Sequence, residues 1–158
     1  MRTAPLVRGA FTMLKEVARH ILRRPVVGIA AAAHTSDGRW LLIRRVDVDE
    51  WALVGGTLEW GETLRTCIAR ELAEEAGVLR CEILRVVGVY SDPGRDPRFH
   101  AVTVVVDCLV DPPQRPPANA LEIAGARLFT PEELPARLGM NMRDMLRAAM
   151  AGDPPVLE

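Results

Sequence analysis

The chain has 158 residues, with 20 Lys and Arg against 21 Asp and Glu, a formal net charge of −1 and 49% hydrophobic residues. That length supports one sizeable core but hardly two domains, and the near-neutral charge excludes a general attraction to nucleic acid or to an anionic membrane. No apolar run approaches the roughly eighteen residues of a membrane span.

Residues 6–23 read as a helix, with Phe11, Leu14 and Ile21 at helical spacing and Pro25 as its stop. Arg2, Arg8, Lys15, Arg19, Arg23 and Arg24 face only Glu16 in this segment. No apolar core or small-residue cleavage site follows, so residues 1–24 are expected to be a helical extension rather than a targeting peptide. A domain-swapped homodimer through this helix is the corresponding expectation. Residues 25–158 form the main domain. Val26 to His34 is a short-side-chain apolar run, and Ser36-Asp37-Gly38 turns it into Arg39–Arg45, a hairpin pattern. Trp51–Val54 leads as a short strand into Gly55-Gly56.

A helix should start at Thr63, a plausible N-cap, and end at Gly77, which suits a left-handed C-terminal position. Glu82–Tyr90 and His100–Val110 read as strands on either side of the Pro/Gly-rich Ser91–Pro97. Asp111–Asn119, with Pro112, Pro113, Pro116 and Pro117, is expected to be a loop. A strand near Ala124–Phe129 and two short helices, about 131–138 and 141–150, complete the chain. Strands outnumber helices and do not alternate regularly with them, which makes the fold α+β or a sandwiched mixed sheet. Cys67, Cys81 and Cys108 show no metal-ligand spacing and read as small core residues of a reducing, cytoplasmic compartment.

The Thr63–Gly77 helix carries the chemistry. With Leu64 at zero and about 100° per residue, Ile68 falls near 40°, Glu75 near 20°, Glu71 near 340°, Cys67 near 300° and Glu74 near 280°. Arg65, Thr66, Ala69, Arg70, Ala73 and Ala76 take the opposite half. Three carboxylates therefore continue an apolar stripe, where an unpaired charge is very costly. A divalent cation in front of them resolves the conflict. Mg²⁺ suits such oxygen ligands, and carboxylates at i, i+3 and i+4 converge on one small volume. Gly55-Gly56 lets the backbone approach, exposing a carbonyl and leaving room for a phosphate.

The same stretch, GTLEWGETLRTCIARELAEEAGV from Gly56 to Val78, resembles the Nudix box without a gap or substitution. That resemblance implies an α/β/α sandwich around a mixed β-sheet, with Mg²⁺ or Mn²⁺ as cofactor. It implies Glu71, Glu75 and the Gly55 carbonyl as central metal ligands and Glu74 as a ligand or water-positioning group. Arg70 would orient a box glutamate, and Glu62 would be structural. A fourth acid commonly arrives from a distal loop in that family, and Glu122 is the candidate. Ser91–His100 resembles the GRDPR loop of ADP-ribose pyrophosphatase-like members. Arg95 and Arg98 are the candidates to grip a phosphate, Gly56 to make room for it and Trp51 to stack on a base. Val54 stands where a proline often precedes the paired glycines and Leu128 where a tryptophan is frequent, but neither change removes a carboxylate.

The implied reaction is metal-assisted hydrolysis of the pyrophosphate bond in a nucleoside diphosphate linked to another group. The expected partner is a nucleotide-linked small molecule such as ADP-ribose or a nucleoside diphosphate sugar, with no nucleic acid and no membrane. Nucleoside triphosphate clean-up and a non-catalytic nucleotide-sugar sensor are the alternatives. Every box carboxylate is present, which favours the enzyme.

Overall fold

The computed structural model describes Met13 and residues 24–158. The helix expected over residues 6–23, and any dimer built on it, lie outside the described residues apart from Met13.

Strand β1 (Val26–His34) is the organising element. It pairs in parallel with β6 (Ala101–Val110) along its whole length, from Val26 opposite Ala101 to His34 opposite Leu109. Its other edge takes β4 (Val54–Thr57) antiparallel, with Ala30 opposite Gly55 and Ile29 opposite Gly56. Strand β2 (Trp40–Arg45) meets β1 at His34 and Trp40, then leaves to pair antiparallel with β7 (Ile123–Phe129) and β3 (Trp51–Ala52). The expected hairpin is thus joined only near its turn. Strand β5 (Cys81–Tyr90) runs antiparallel to β6 and carries β8 (Val156–Leu157) on its outer edge.

Strand β1 reads as a continuous apolar run because both faces are covered. Ile29, Ala31 and Ala33 point into a core shared with Cys67, Ile68 and Leu72 of helix α1 (Leu64–Ala76). Ala30 and Ala32 point the other way, into a core with Met145, Leu146 and Ala149 of helix α2 (Arg143–Ala151). Alternation along one strand therefore sorts its side chains between two helical layers, the sandwich expected from the sequence. Ile68 and Leu72 are fully buried, each stabilising by roughly 1.5–3 kcal/mol on burial. All three cysteines are free thiols; Cys67 and Cys108 are buried and Cys81 is half-buried.

Helix α1 keeps the expected ends. Thr63 Oγ1 accepts from Thr66 N at 3.2 Å, and Thr66 Oγ1 accepts from Thr63 N at 2.9 Å. Gly77 closes the helix at φ 65°. A Cβ there would run into the backbone of Arg115, so glycine is needed for close approach as well as for conformation. The proline-rich segment is a loop, as expected, and it is tied down at this point. Gln114 N donates to Gly77 O at 2.9 Å and Ala118 N to Glu74 O at 2.7 Å, which docks the proline-rich segment on the end of the helix.

The end of the chain also differs from expectation. Residues 131–138 contain only a single 3-10 turn, Pro131–Glu133. Pro135 has no N–H to donate and disfavours helical geometry in Leu134, so the turn cannot propagate. A second 3-10 turn, Gly139–Asn141, precedes α2, and strand β8 had no counterpart in the expected elements. Among the described residues no helix is long and apolar enough to cross a membrane.

Candidate active site

The packing of α1 sets which carboxylates meet the protein interior. Its buried residues are Cys67, Ile68, Leu72, Glu75 and Ala76, so the covered face is turned toward Leu72 and Ala76 relative to the stripe drawn from Leu64. This corrects two expectations: Ala76 is fully buried, and Glu74 is exposed at the rim. Glu75 is only 7% exposed. Its Oε2 accepts from Gly55 N at 3.0 Å, and its Oε1 lies 3.7 Å from Arg45 Nη1. Burial pushes the Glu75 carboxyl up to about 8; the Gly55 hydrogen bond opposes this rise, and the neighbouring Glu71 adds to it. Burial raises Glu71 as well, against the pull of Arg70.

Arg70 organises the outer half of the site. It makes a two-pronged pair with Glu62 at 3.0 and 3.1 Å, and its Nη1 reaches Glu71 Oε1 at 2.8 Å and Glu74 Oε2 at 3.3 Å. The Arg70 hydrogen bonds hold the Glu62 carboxyl down at about 2. Arg70→Gln is expected to leave Glu62 and Glu71 without their cationic partner and to lower the urea midpoint. Unchanged stability would mean that Arg70 is not what holds these carboxylates.

The paired glycines fix the opposite wall. A Cβ on Gly56 would overlap the Glu71 carboxylate, and one on Gly55 would enter the backbone of β1. Together these elements border a cleft of about 540 Å³. Glu122, on the turn before β7, faces it with a half-exposed side chain and lies 3.6 Å from Arg45 Nη2.

Arg45 was missed by the sequence reading. It is 7% exposed, pairs with Asp47 at 2.9 and 3.0 Å, and stands between Glu75 and Glu122. The signal was present: Leu41 and Ile43 point into the core beneath α1, and alternation puts Arg45 on that same face. A cation buried there requires carboxylates in front of it.

Not every expected residue reaches the cleft. Arg98 lines it, tied to Asp96 at 2.8 Å and Asp47 at 3.1 Å. Arg95 does not; it pairs with Asp144 at 2.7 Å and Glu158 at 2.6 Å, with its guanidinium 4.8 Å from the Tyr90 ring centroid. Trp51 packs edge-on to Phe129 at 4.9 Å beside the core under α2, outside the cleft walls. Phe99 lines the cleft instead.

A family model described as the NUDIX domain matches residues 22–149. The chain belongs to the Nudix family. A MutT-like protein from Streptomyces ambofaciens is 34% identical over 82% of this chain and 79% of its own length. An ADP-ribose pyrophosphatase from Methanocaldococcus jannaschii is 40% identical over 72 residues, 44% of this chain and 42% of that protein. Among solved structures, an ADP-ribose pyrophosphatase from Streptococcus suis shares the fold with a TM-score of 0.69 and 23% identity, covering 85% of this chain and 100% of that one.

Nudix hydrolases cleave pyrophosphate bonds and generally use divalent metal ions. The donors fit such an ion: two half-buried or buried carboxylates raised by desolvation, a rim carboxylate, and a glycine turn whose Cβ positions are occupied by neighbours. Their present positions are those of ion pairs. Among the described residues no three His, Cys, Asp or Glu are arranged around one point, because Arg70 draws Glu71 and Glu74 while Arg45 faces Glu75 and Glu122. A divalent ion taken up here would have to displace these arginines as the counter-charge.

Proposed function

We propose that this Nudix hydrolase acts on nucleoside diphosphates linked to another group, with ADP-ribose or a nucleoside diphosphate sugar as substrate. The reading is carried by the buried Glu75, set against the Gly55-Gly56 turn in a cleft of a size that takes a nucleotide. The GRDPR stretch adds support by placing Arg98 and Phe99 on the cleft wall. The similarity to an ADP-ribose pyrophosphatase points the same way.

In this reading Glu71, Glu75 and the Gly55 carbonyl hold Mg²⁺ or Mn²⁺, and Glu74 completes the set at the rim. An ion held there supplies neutralisation of the phosphate oxygens and a bound water of lowered pKa. Arg45 and Arg98 orient the diphosphate through guanidinium geometry. Phe99, Met140 and Met142 offer apolar surface to the base. Glu122, which shares Arg45 with Glu75, takes the proton from the attacking water. Arg70 positions Glu71 and Glu62 and touches no substrate.

The test is incubation with Mg²⁺ or Mn²⁺ and a panel of ADP-ribose, nucleoside diphosphate sugars, dinucleotides and nucleoside triphosphates, with products separated by chromatography. Nucleoside monophosphate released selectively from diphosphate-linked sugars is the expected result. Preference for triphosphates would overturn the substrate class, and tight binding without turnover would make the protein a sensor. Excess chelator should abolish turnover, and Mg²⁺ should raise the melting temperature by binding only the folded state.

A further inference from the structure

A second groove, of about 560 Å³, adjoins the catalytic cleft, with Arg98 and Met140 common to both. Arg95, Arg98, Arg137, Arg143 and Arg147 line it with Glu50 and Asp144, and Asp47, Asp96 and Glu158 pair with Arg95 and Arg98 from beyond its walls, so the uncompensated charge is confined to one side. Arg95 and Arg98 are already neutralised by close partners, and Arg137 approaches Glu50 only to 3.9 Å. Arg143 and Arg147 make no ion pair among the described residues.

Those two arginines are placed where positive charge is least welcome. They stand at i and i+4 on α2, the spacing at which like charges repel. Arg143 is also the first residue of that helix, where the helix dipole opposes a cation. Its Nη1 is shut off from solvent and has no hydrogen-bond partner among the described residues. The wall between groove and cleft is strained as well: Met140 and Asn141 hold φ of 54° and 52°, and Arg95 Nη1 donates to Asn141 O at 3.0 Å. A phosphate would relieve the repulsion between the arginines and match their donor geometry.

We propose that this groove is an anion subsite for a phosphate group, with Arg147 as its exposed contact and the half-buried Arg143 behind it. Because the groove opens beside the cleft, the phosphate is either carried by the substrate beyond its scissile diphosphate or supplied as the free ion. The first case rests on the substrate reading above; the second does not.

Inorganic phosphate is titrated by calorimetry into the protein in the presence of chelator, so that the carboxylate site cannot recruit it through a metal. Saturable binding is expected, weakened about tenfold by Arg147→Gln, a change at an exposed position that leaves folding intact. Arg143→Gln should weaken it further. No binding, or binding that survives both substitutions, overturns the subsite. Turnover of ADP-ribose and of its 2′-phosphate is then followed with added phosphate. Competition against the phosphorylated substrate alone identifies a substrate-borne group, and an equal change for both identifies the free ion; either pattern upholds the subsite. If no ADP-ribose derivative is hydrolysed while phosphate still binds through Arg147, the substrate reading falls and the subsite stands.

Discussion

Glu75→Gln is expected to lower kcat by about 10²–10⁴-fold and yet to stabilise the metal-free protein at alkaline pH. Both effects follow from one buried carboxyl. Burial raises it from 4.5 to about 8, so the folded state keeps a proton that the unfolded chain gives up. Its contribution to stability is full below about pH 4.5 and is lost as pH rises through 8. Above that point the loss is on the order of 4–5 kcal/mol, or roughly 10–20 °C in melting temperature for a chain of this size. Glutamine keeps an acceptor for Gly55 N–H and never ionises, so it escapes the loss. Mg²⁺ should restore the wild type and leave the variant nearly unmoved. Melting curves of both proteins from pH 5 to 9, with chelator and with Mg²⁺, measure this. Coincident curves in chelator would show that Glu75 is not held against its own charge.

The paired glycines should separate function from stability. Gly56→Ala pushes a methyl group into the Glu71 carboxylate, which is the end of a flexible side chain and can move away. Turnover is expected to fall about 10²-fold, as for a displaced catalytic group, with stability changed by less than about 1 kcal/mol. Gly55→Ala drives its methyl against Ile29 O and to 2.8 Å from Ala30 Cα, both backbone atoms of β1. Strand β4 must then lift from its neighbour, which should cost at least about 2–3 kcal/mol. Urea unfolding and kcat on the same two variants decide the matter. Equal stability losses would mean that Gly56, too, serves the fold rather than the position of Glu71.

What could be read from the sequence was local. The ends of α1 follow from Thr63 and Gly77, and β1 follows from an apolar run flanked by Pro25 and a turn, so both were found without knowing their neighbours. The phase of α1 was less accessible. Leu64 suggested one face, whereas the core beneath β1 draws in Leu72 and Ala76 and leaves Glu74 at the rim. Partners far along the chain were out of reach altogether. Arg95 lies in a motif that suggests phosphate, but Asp144 and Glu158 arrive from remote positions and claim it. Trp51 flanks the glycine turn in sequence and faces the other layer in space. Arg45 shows the opposite case: its role was implied by strand alternation, and only the placement of Glu75 and Glu122 made it visible.

The parallel pairing of β1 with β6 bears on how the molecule acquires activity during folding. Val26 meets Ala101 only after the intervening chain has closed a long loop, and such distant pairings are slow to form. The helix bearing the box glutamates has strong local caps and is free to form early. The glycine turn, however, is held in register by β1, and the wall with Arg98 and Phe99 leads directly into β6. Pulse-labelled hydrogen exchange should therefore show protection in α1 before β6, with enzymatic competence appearing only in the last kinetic phase.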